Sequence, residues 1–274
     1  MKPSSIPALD VPAVSVLMTC FNAERFVAEA VRSILSQSFT DWELIVVDDG
    51  SSDATLERIL DLQDNRIRVL PLERNVGIPR ALNTGLQKAN GQFVARLDAD
   101  DIAAVTRLAD QVSYLEANPD VVSVGGSMSV VGKRLGQILD RKPSNSLGPL
   151  FLRGNQYLSS TVMFRRSCIE DFGLKFDESL PNAQDYDFWL QLSGVGRMAQ
   201  LSTVLGEYRF HESQETARNA LRQRRLALRV QTAAVMGRYG TQGTTNIDRL
   251  IGWLFLARHF LGYLRIKLAS KARR

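Results

Sequence analysis

The sequence predicts a doubly wound, Rossmann-like α/β fold with a mostly parallel mixed sheet and a helical extension at its C-terminus. Short apolar runs rich in β-branched residues alternate with segments whose apolar residues recur every three or four positions. Polar and acidic residues follow these runs, where parallel sheets collect their ligands. Of the 274 residues, 45% are hydrophobic and 23% charged, as is typical of a globular protein with a sizeable core.

The first part of the chain consists of repeated strand and helix units. The runs "VSVLM" (14–18), "ELIVV" (43–47), "IRVL" (67–70) and "QFVARL" (92–97) predict strands that are covered on both faces. Helices are predicted between them, over "FVAEAVRSIL", over "ATLERIL" after the turn "DDGSSD", and over "PRALNTGLQKA". Units of this kind form parallel, right-handed sheets with helices on both faces.

The second part mixes helices with strands. The segment "TRLADQVSYLEANPD" predicts a helix that ends near Asn118, because a proline follows. Strands are predicted over 121–126, with a strand-like stretch to about residue 140, over 160–164 and over 204–211. The segment "DYDFWLQLS" (185–193) has the spacing of a helix.

Cysteine usage indicates a reducing compartment. Cys20 and Cys168 lie in apolar surroundings without a CxxC or metal-ligand spacing, so we expect reduced thiols rather than a disulfide framework. The N-terminal "MKPSSIPALDVPA" lacks the apolar core of a signal peptide. We therefore predict a cytoplasmic protein. A peripheral position on the cytoplasmic face of the membrane is the alternative.

The charge is distributed unevenly along the chain. Residues 215–274 carry 13 lysines and arginines against two acids, a net charge of +11, whereas residues 1–214 carry 21 against 27, a net charge of −6. A basic tail on an acidic body predicts an anionic partner, either membrane headgroups or nucleic acid.

The segment "ARLDADD" places Asp98, Asp100 and Asp101 directly after a predicted strand. Three close carboxylates repel one another, and burying them is unfavourable unless a cation, a hydrogen-bond donor or solvent compensates. A bound cation is the first expectation.

Four motifs in this order resemble the family 2 glycosyltransferases, which are inverting enzymes of the GT-A fold: "VSVLMTCFNAERFVAEAVRSILSQSF", "ELIVVDDGSSDAT", "NVGIPRALNTGL" and "GQFVARLDADD". The resemblance implies transfer of a sugar from a nucleotide-sugar donor, expected to be a UDP-sugar, to an acceptor hydroxyl in polysaccharide or glycolipid biosynthesis. It implies a GT-A domain over 1–213, with a nucleotide-sugar half over about 13–101 and an acceptor half over 102–213. Residues 214–274 form the basic helical extension.

The resemblance also assigns roles to residues. Asp100 and His211, the latter in "EYRFHESQET", are the expected ligands of Mn²⁺ or Mg²⁺, which favour oxygen donors from carboxylate and phosphate. The expected donor-binding residues are Thr19, Phe21, Asn22, Glu24, Asp49 and Asp98. Phe21 stands where the family often has tyrosine, a change that keeps stacking but removes a hydroxyl contact.

The segment "NAQDYDFWLQL" resembles the family segment in which the second residue of an acidic pair is the catalytic base, and by position this residue is Asp185. Gln184 replaces the first acid. A carboxylate beside the acceptor hydroxyl removes its proton as the oxygen attacks. The alternative is that Asp185 only caps the helix that follows. Arg165 and Arg166 are expected either to meet phosphate or to be solvated, and Asp101 is expected to cap a helix.

The tail predicts a helix over 249–274 with an apolar face flanked by cations. This face consists of Leu250, Trp253, Leu254, Ala257, Leu261, Leu264 and Leu268. Arg258 and Arg265 lie along one edge, and Arg249 and Lys267 along the other. Because Arg258 and His259 interrupt the apolar run after eight residues, no transmembrane helix is predicted. Association with a membrane surface is one expectation, and packing on the body or dimerisation is the other. Nucleic acid is not expected, since no binding motif accompanies the charge.

Two other functions stay open at this point. A sugar-phosphate nucleotidyltransferase shares a related architecture, but it needs a glycine-rich phosphate loop that "MTCFNAER" does not provide. A non-catalytic relative would bind nucleotide or a partner without turnover. The motifs also leave the donor sugar, the base, the acceptor, the linkage and the oligomeric state open, because specificity lies in the shape of the pocket.

Overall fold

The computed structural model describes residues 11–132, 137–139, 143–211, 214 and 219–272. Its strands are β1 (Val14–Cys20), β2 (Trp42–Asp48), β3 (Ile67–Pro71), β4 (Phe93–Arg96), β5 (Ile102–Ala103), β6 (Val121–Gly132), β7 (Ile138–Leu139), β8 (Met163–Arg165) and β9 (Arg197–Phe210). Its α-helices are α1 (Val27–Leu35), α2 (Thr55–Leu60), α3 (Ile78–Leu86), α4 (Arg107–Ala117), α5 (Ser167–Phe172), α6 (Gln184–Val195), α7 (Ala220–Val235) and α8 (Asn246–Ala272). Two 3₁₀ helices span Gly148–Arg153 and Ser159–Thr161.

The strands form one sheet in the order β3-β2-β1-β4-β8-β6-β9-β5, and β7 pairs with β6 outside this path. Strands β3, β2, β1 and β4 are parallel to one another, whereas β8 is antiparallel to both β4 and β6. The strand order changes direction at β1, so the carboxyl ends of β1 and β4 flank the crevice where doubly wound folds bind ligands. The predicted α/β fold class is confirmed.

Two hydrophobic cores cover the two faces of the sheet. In β1 the side chains alternate, since Val16 and Met18 pack with α1 and α4 on one face while Leu17 packs with α3 on the other. The aromatic residues Phe188 and Trp189 of α6 belong to the core on the Leu17 side of the sheet. Burial on both faces explains why these strands read as continuous apolar runs.

Most predicted elements lie within a few residues of the observed ones, and two differ more. Strand β9 begins at Arg197, seven residues before the predicted strand. The predicted strand over 160–164 is wrong at its start, because Ser159–Thr161 forms a 3₁₀ helix and β8 begins at Met163. The N-terminal residues 1–10, parts of the strand-like stretch (133–136 and 140) and residues 212–213 at the predicted domain boundary lie outside the described residues.

The C-terminal helices pack on the acceptor half of the sheet. Helix α7 places Val230, Ala234 and Val235 in the core that contains α6. Helix α8 contacts α7 and the 3₁₀ helix Gly148–Arg153. The division at residues 213 and 214 stays a prediction. Within the described part of the chain, no helix combines the length and the apolarity that crossing a bilayer requires.

Candidate active site

The loops after β1 and β2 are fastened to each other by reciprocal hydrogen bonds. Asn22 has a left-handed backbone (φ 49°), and its side-chain oxygen accepts a hydrogen bond from the backbone N–H of Ser52 at 2.9 Å. A carboxylate oxygen of Glu24 accepts from the N–H of Ala54 at 3.0 Å, while the N–H of Glu24 donates to Asp53 at 3.2 Å. Both predicted donor-binding residues therefore hold the two loops in place, and contact with a nucleotide stays a prediction.

Thr19 and Phe21 lie at the carboxyl end of β1. Thr19 is half-buried and pairs with Val47 of β2. The Phe21 ring is 48% exposed, which is unusual for a large apolar side chain beside a buried strand. An exposed ring at a ligand-binding edge is available to stack on a nucleobase.

Asp49 directly follows β2 and is 3% exposed. Its two carboxylate oxygens accept backbone hydrogen bonds from Val76 at 2.7 Å and Gly77 at 2.9 Å. Gly77 has φ 91°, a conformation that favours glycine, and it lies directly before α3. Asp49 thus anchors the loop before α3. Each oxygen retains a second lone pair, so the predicted contact with the nucleotide-sugar donor is compatible with this geometry but stays a prediction.

Asp98 follows β4, and its carboxylate forms an ion pair with the Arg96 guanidinium. Arg96 is 3% exposed, and its Nε and Nη1 have no hydrogen-bond partner among the described residues. A buried guanidinium with two unsatisfied nitrogens is costly, and its positive charge compensates part of the acidic cluster. Sequence reasoning missed Arg96, although an arginine inside the apolar run "FVAR" is a visible signal.

Asp100 and His211 lie side by side, with 2.9 Å between the carboxylate Oδ2 and the imidazole Nε2. The His211 ring packs on Phe26, with 4.5 Å between ring centroids. Burial and the neighbouring charge of Asp98 raise the pKa of Asp100, and the hydrogen bond from His211 opposes the rise. The structure therefore brings the two predicted metal ligands together.

Among the described residues, no group of three or more His, Cys, Asp and Glu side chains surrounds a common point. The Asp100 carboxylate suits Mn²⁺ or Mg²⁺, which take the rest of their shell from water and substrate phosphates, and the His211 imidazole suits Mn²⁺ better than Mg²⁺. Burial and the neighbouring charge of Asp98 both disfavour the Asp100 carboxylate, and a divalent ion bound there would offset both.

Asp101 connects the acidic segment to β9 and to the acceptor half. It is 2% exposed, and its carboxylate accepts from the Ser160 hydroxyl at 2.5 Å and from the N–H of Arg209 at 3.1 Å. Burial, followed by the charges of Asp100 and Asp98, raises the pKa of Asp101 well above its usual value. The expectation that Asp101 caps a helix is wrong, because these two hydrogen bonds occupy its carboxylate.

Asp185 lies in the first turn of α6. Its Oδ2 accepts from the Ser159 hydroxyl at 2.9 Å and from the Asn155 side-chain amide at 3.2 Å, and its Oδ1 accepts from the N–H of Tyr186 at 2.8 Å. Burial raises the pKa of Asp185, and the Ser159 and Tyr186 donors oppose the rise. A carboxyl with a raised pKa is closer to the range in which a general base works well.

The adjacent residues Ser159 and Ser160 join the two acidic groups. Ser159 donates to Asp185, whereas Ser160 donates to Asp101 and accepts a hydrogen bond from the N–H of Asp98 at 3.1 Å. The predicted base and two neighbours of Asp100 in the acidic segment, Asp98 and Asp101, are therefore fixed to one short 3₁₀ helix. No motif in the sequence indicates the part played by Ser159 or Asn155.

Arg165 and Arg166 lie away from this site. Arg165 pairs with Phe93 at the start of β4 and donates to the carbonyls of Leu115 at 2.7 Å and Val121 at 2.8 Å. Arg166 donates to the carbonyl of Gly91 at 2.7 Å. The expectation of a phosphate contact is wrong, since both guanidinium groups bind backbone carbonyls at the opposite end of β4 from Asp98.

Two solved structures are similar to the whole arrangement. Staphylococcus aureus TarS 1–349 in complex with UDP-GlcNAc superimposes with a TM-score of 0.74 at 24% identity, over 90% of this chain and 72% of that chain. The mannosyltransferase PcManGT of Pyrobaculum calidifontis, in complex with GDP-Man and Mn²⁺, gives a TM-score of 0.64 at 19% identity, over 96% of this chain and 80% of that chain. The fold is that of the GT-A glycosyltransferases.

Sequence comparison gives the family. The sequence model of "Glycosyl transferase family 2" matches residues 15–169. An uncharacterized glycosyltransferase of Haemophilus influenzae is 32% identical over 219 residues, 75% of this chain and 68% of that protein. The Escherichia coli UDP-Glc:alpha-D-GlcNAc-diphosphoundecaprenol beta-1,3-glucosyltransferase WfgD is 30% identical over 213 residues, 73% of this chain and 78% of that protein. The chain belongs to glycosyltransferase family 2 and is an enzyme of that class, which confirms the resemblance of its four motifs.

Proposed function

We propose that this protein is a metal-dependent, inverting glycosyltransferase that moves a sugar from a UDP-sugar to a hydroxyl of a lipid-linked saccharide. The observation that carries the proposal is the pair of hydrogen bonds from Ser159 and Ser160, which fix Asp185 beside the acidic segment of Asp98, Asp100 and Asp101. A base and an acidic phosphate-binding edge at one site are what transfer from a nucleotide sugar requires.

Asp185 is the proposed general base. It accepts the proton of the acceptor hydroxyl as that oxygen attacks the anomeric carbon, while the bond from the anomeric carbon to the diphosphate breaks and the nucleoside diphosphate departs. Attack opposite the leaving group inverts the configuration at that carbon. Ser159, Asn155 and the N–H of Tyr186 hold the carboxylate in place and stabilise its charged form.

Asp100 and His211 are the proposed ligands of Mn²⁺ or Mg²⁺. When bound, the ion supplies Lewis-acid stabilisation of the diphosphate, a contribution of several kcal/mol in such reactions. Phe21, Thr19 and Asp49 are proposed to line the nucleoside pocket, and Asn22 and Glu24 shape its loop. Asp98 is proposed to face the ribose.

Named relatives support the substrates. TarS has been crystallised with UDP-GlcNAc, and WfgD is named for transfer from UDP-Glc to a diphosphoundecaprenol-linked sugar. The amylovoran and succinoglycan biosynthesis proteins AmsE and ExoO are 29% and 33% identical to this chain over 202 and 197 residues. We therefore propose a role in polysaccharide or glycolipid synthesis on the cytoplasmic side of the membrane.

The product distinguishes the proposal from its alternatives. Incubation with UDP-sugars, Mn²⁺ and a diphosphate-lipid-linked saccharide is expected to release UDP and to give a product with inverted anomeric configuration in its NMR spectrum. Release of pyrophosphate would identify a nucleotidyltransferase. Nucleotide binding without turnover across a broad donor and acceptor screen would identify a non-catalytic relative.

A further inference from the structure

Helix α8 exposes an apolar face on the side that does not pack on the body. Its packed side contains Gly252 and Leu256, and a Cβ built at Gly252 would lie 3.0 Å from Val235 and 3.2 Å from Leu152. The predicted apolar face stays in solvent, with exposed fractions of 62% for Leu250, 65% for Leu254, 59% for Leu261 and 67% for Leu268. The expectation that this face packs on the body is therefore wrong, whereas dimerisation, the alternative paired with it, stays a prediction.

Cations line the exposed face. Arg258 and Arg265 are exposed along one edge. Arg224 of α7 approaches the same edge, since one guanidinium nitrogen of Arg224 lies 3.6 Å from a Cβ built at Gly262. On the other edge Arg249 is occupied, because it donates to the Val235 carbonyl at 3.1 Å. The cationic edge is thus formed by Arg224, Arg258 and Arg265.

We propose that α8 binds an anionic lipid surface, with its apolar face at the headgroup boundary and this cationic edge on the headgroups. An amphipathic helix with arginines beside an apolar face has the features of an interfacial helix. Trp253, 44% exposed, and Phe260, 50% exposed, add the aromatic side chains that favour such a boundary.

Charge favours lipid over a second copy of the chain. Residues 219–272 contain ten lysines and arginines and a single acidic residue, Asp248. Asp248 is already bonded, since it accepts from the Thr245 hydroxyl at 2.6 Å and lies 3.9 Å from the Arg153 guanidinium. Two copies that met through this face would bring like charges together, whereas anionic headgroups complement them.

The position of α8 connects this surface to the proposed base. His259 hydrogen-bonds Gln231 at 2.8 Å, and its ring lies 3.3 Å from a Cβ built at Gly154. The next residue, Asn155, donates to Asp185. The packed side of α8 therefore reaches the acceptor side of the site, and a lipid surface on the other side of α8 would lie about one helix diameter, roughly 10 Å, further out, a consequence for the acceptor that rests on the proposed function.

Vesicle sedimentation tests the proposal with the full-length chain. Wild type is expected to bind phosphatidylcholine vesicles that contain one third phosphatidylglycerol. Leu254→Glu with Leu261→Glu is expected to weaken this binding by at least about tenfold, because the variant loses two exposed leucines that the lipid surface would bury. Arg258→Gln is expected to weaken it by about fivefold on anionic vesicles alone. The matched control is Leu60→Glu with Phe172→Glu, both 57% exposed and outside α8, which is expected to bind as wild type does.

Equal vesicle binding by the wild type and the α8 double variant overturns the proposal. A second result also overturns it: light scattering shows a wild-type dimer that this variant converts to a monomer, and the wild type does not bind vesicles. Binding of UDP in solution distinguishes failure of the lipid-binding proposal from failure of the proposed function. UDP binding without vesicle binding refutes the lipid surface alone, whereas vesicle binding without release of UDP from any UDP-sugar refutes the proposed function alone.

Discussion

Asp100 and Asp185 are two carboxyls of one site whose pKa values burial raises, yet their neighbours differ. Asp100 lies beside another carboxylate, Asp98, and beside an imidazole, His211. Asp185 lies among neutral donors, the Ser159 hydroxyl, the Asn155 amide and a backbone N–H. A cation would relieve the repulsion at Asp100, whereas the surroundings of Asp185 suit a carboxylate that accepts one proton. The different surroundings therefore support the two different roles proposed for the same residue type.

Asp185→Asn is expected to produce the largest loss. The amide cannot accept the acceptor's proton, so kcat is expected to fall by about 10²–10⁴ while UDP binding persists. Steady-state transfer rates and a UDP titration measure the two effects. Asp187→Asn is the matched control, since Asp187 lies on the same helix turn but accepts from Tyr239 at 2.6 Å and Gln191 at 2.6 Å. Transfer at the wild-type rate by folded Asp185→Asn would contradict the assignment.

Asp100→Asn is expected to differ from Asp185→Asn in how UDP binding responds to metal. Removing the carboxylate is expected to lower transfer by about 10²-fold or more, since Lewis-acid stabilisation is worth several kcal/mol. In wild type and in Asp185→Asn, Mn²⁺ is expected to increase the rise in melting temperature that UDP gives. Asp100→Asn is expected to lose this increase. An increase equal to that of wild type would show that Asp100 does not hold the ion.

Phe21→Ala is expected to affect the donor side alone. Loss of a stacking ring is worth about 1–3 kcal/mol per base, so the dissociation constant for UDP is expected to rise about tenfold or more. Binding titrations with UDP measure it, and KM for the acceptor is expected to stay at its wild-type value. Phe172→Ala is a matched control, because this ring is 57% exposed and lies in α5, outside the site. An unchanged affinity for UDP would show that the uracil ring does not stack on Phe21.

The sequence predicted the donor side more completely than the acceptor side, and the physical reason is locality. Asp49 follows β2 directly, and Asp98 and Asp100 come soon after the end of β4 at Arg96, so the alternation of strands and helices determines their place at one edge of the sheet. The contacts of Asp185 depend instead on Ser159 and Asn155, which precede it by 26 and 30 residues and follow no strand. Contacts between irregular segments have no periodic pattern in the sequence.

The two arginines of the acceptor half illustrate the same limit. "FRRS" carries two cations in a row, and their charge alone left a phosphate partner and solvation equally open. In the fold, β8 runs antiparallel to β4, which takes Arg165 and Arg166 to the opposite end of β4 from the acidic segment. The direction of a strand in a mixed sheet decides which edge its end reaches, and a short apolar run does not encode that direction.

Arg96→Met has the smallest expected effect. It tests whether the charge of Arg96, beside the acidic segment, acts on the pKa of Asp185. The charged groups that act on Asp185 are Arg96, which lowers its pKa, and Asp98, which raises it. Asp185 works as a base only when ionised, so activity is lost as the pH falls through its raised pKa. Removing the guanidinium raises this pKa further. The acid limb of the profile of kcat/KM against pH is therefore expected to move to higher pH, with transfer largely retained on the alkaline side. Arg96→Lys keeps the charge and is expected to keep the limb near its wild-type position, so equal displacement in both variants would mean that the arginine acts by packing rather than by charge.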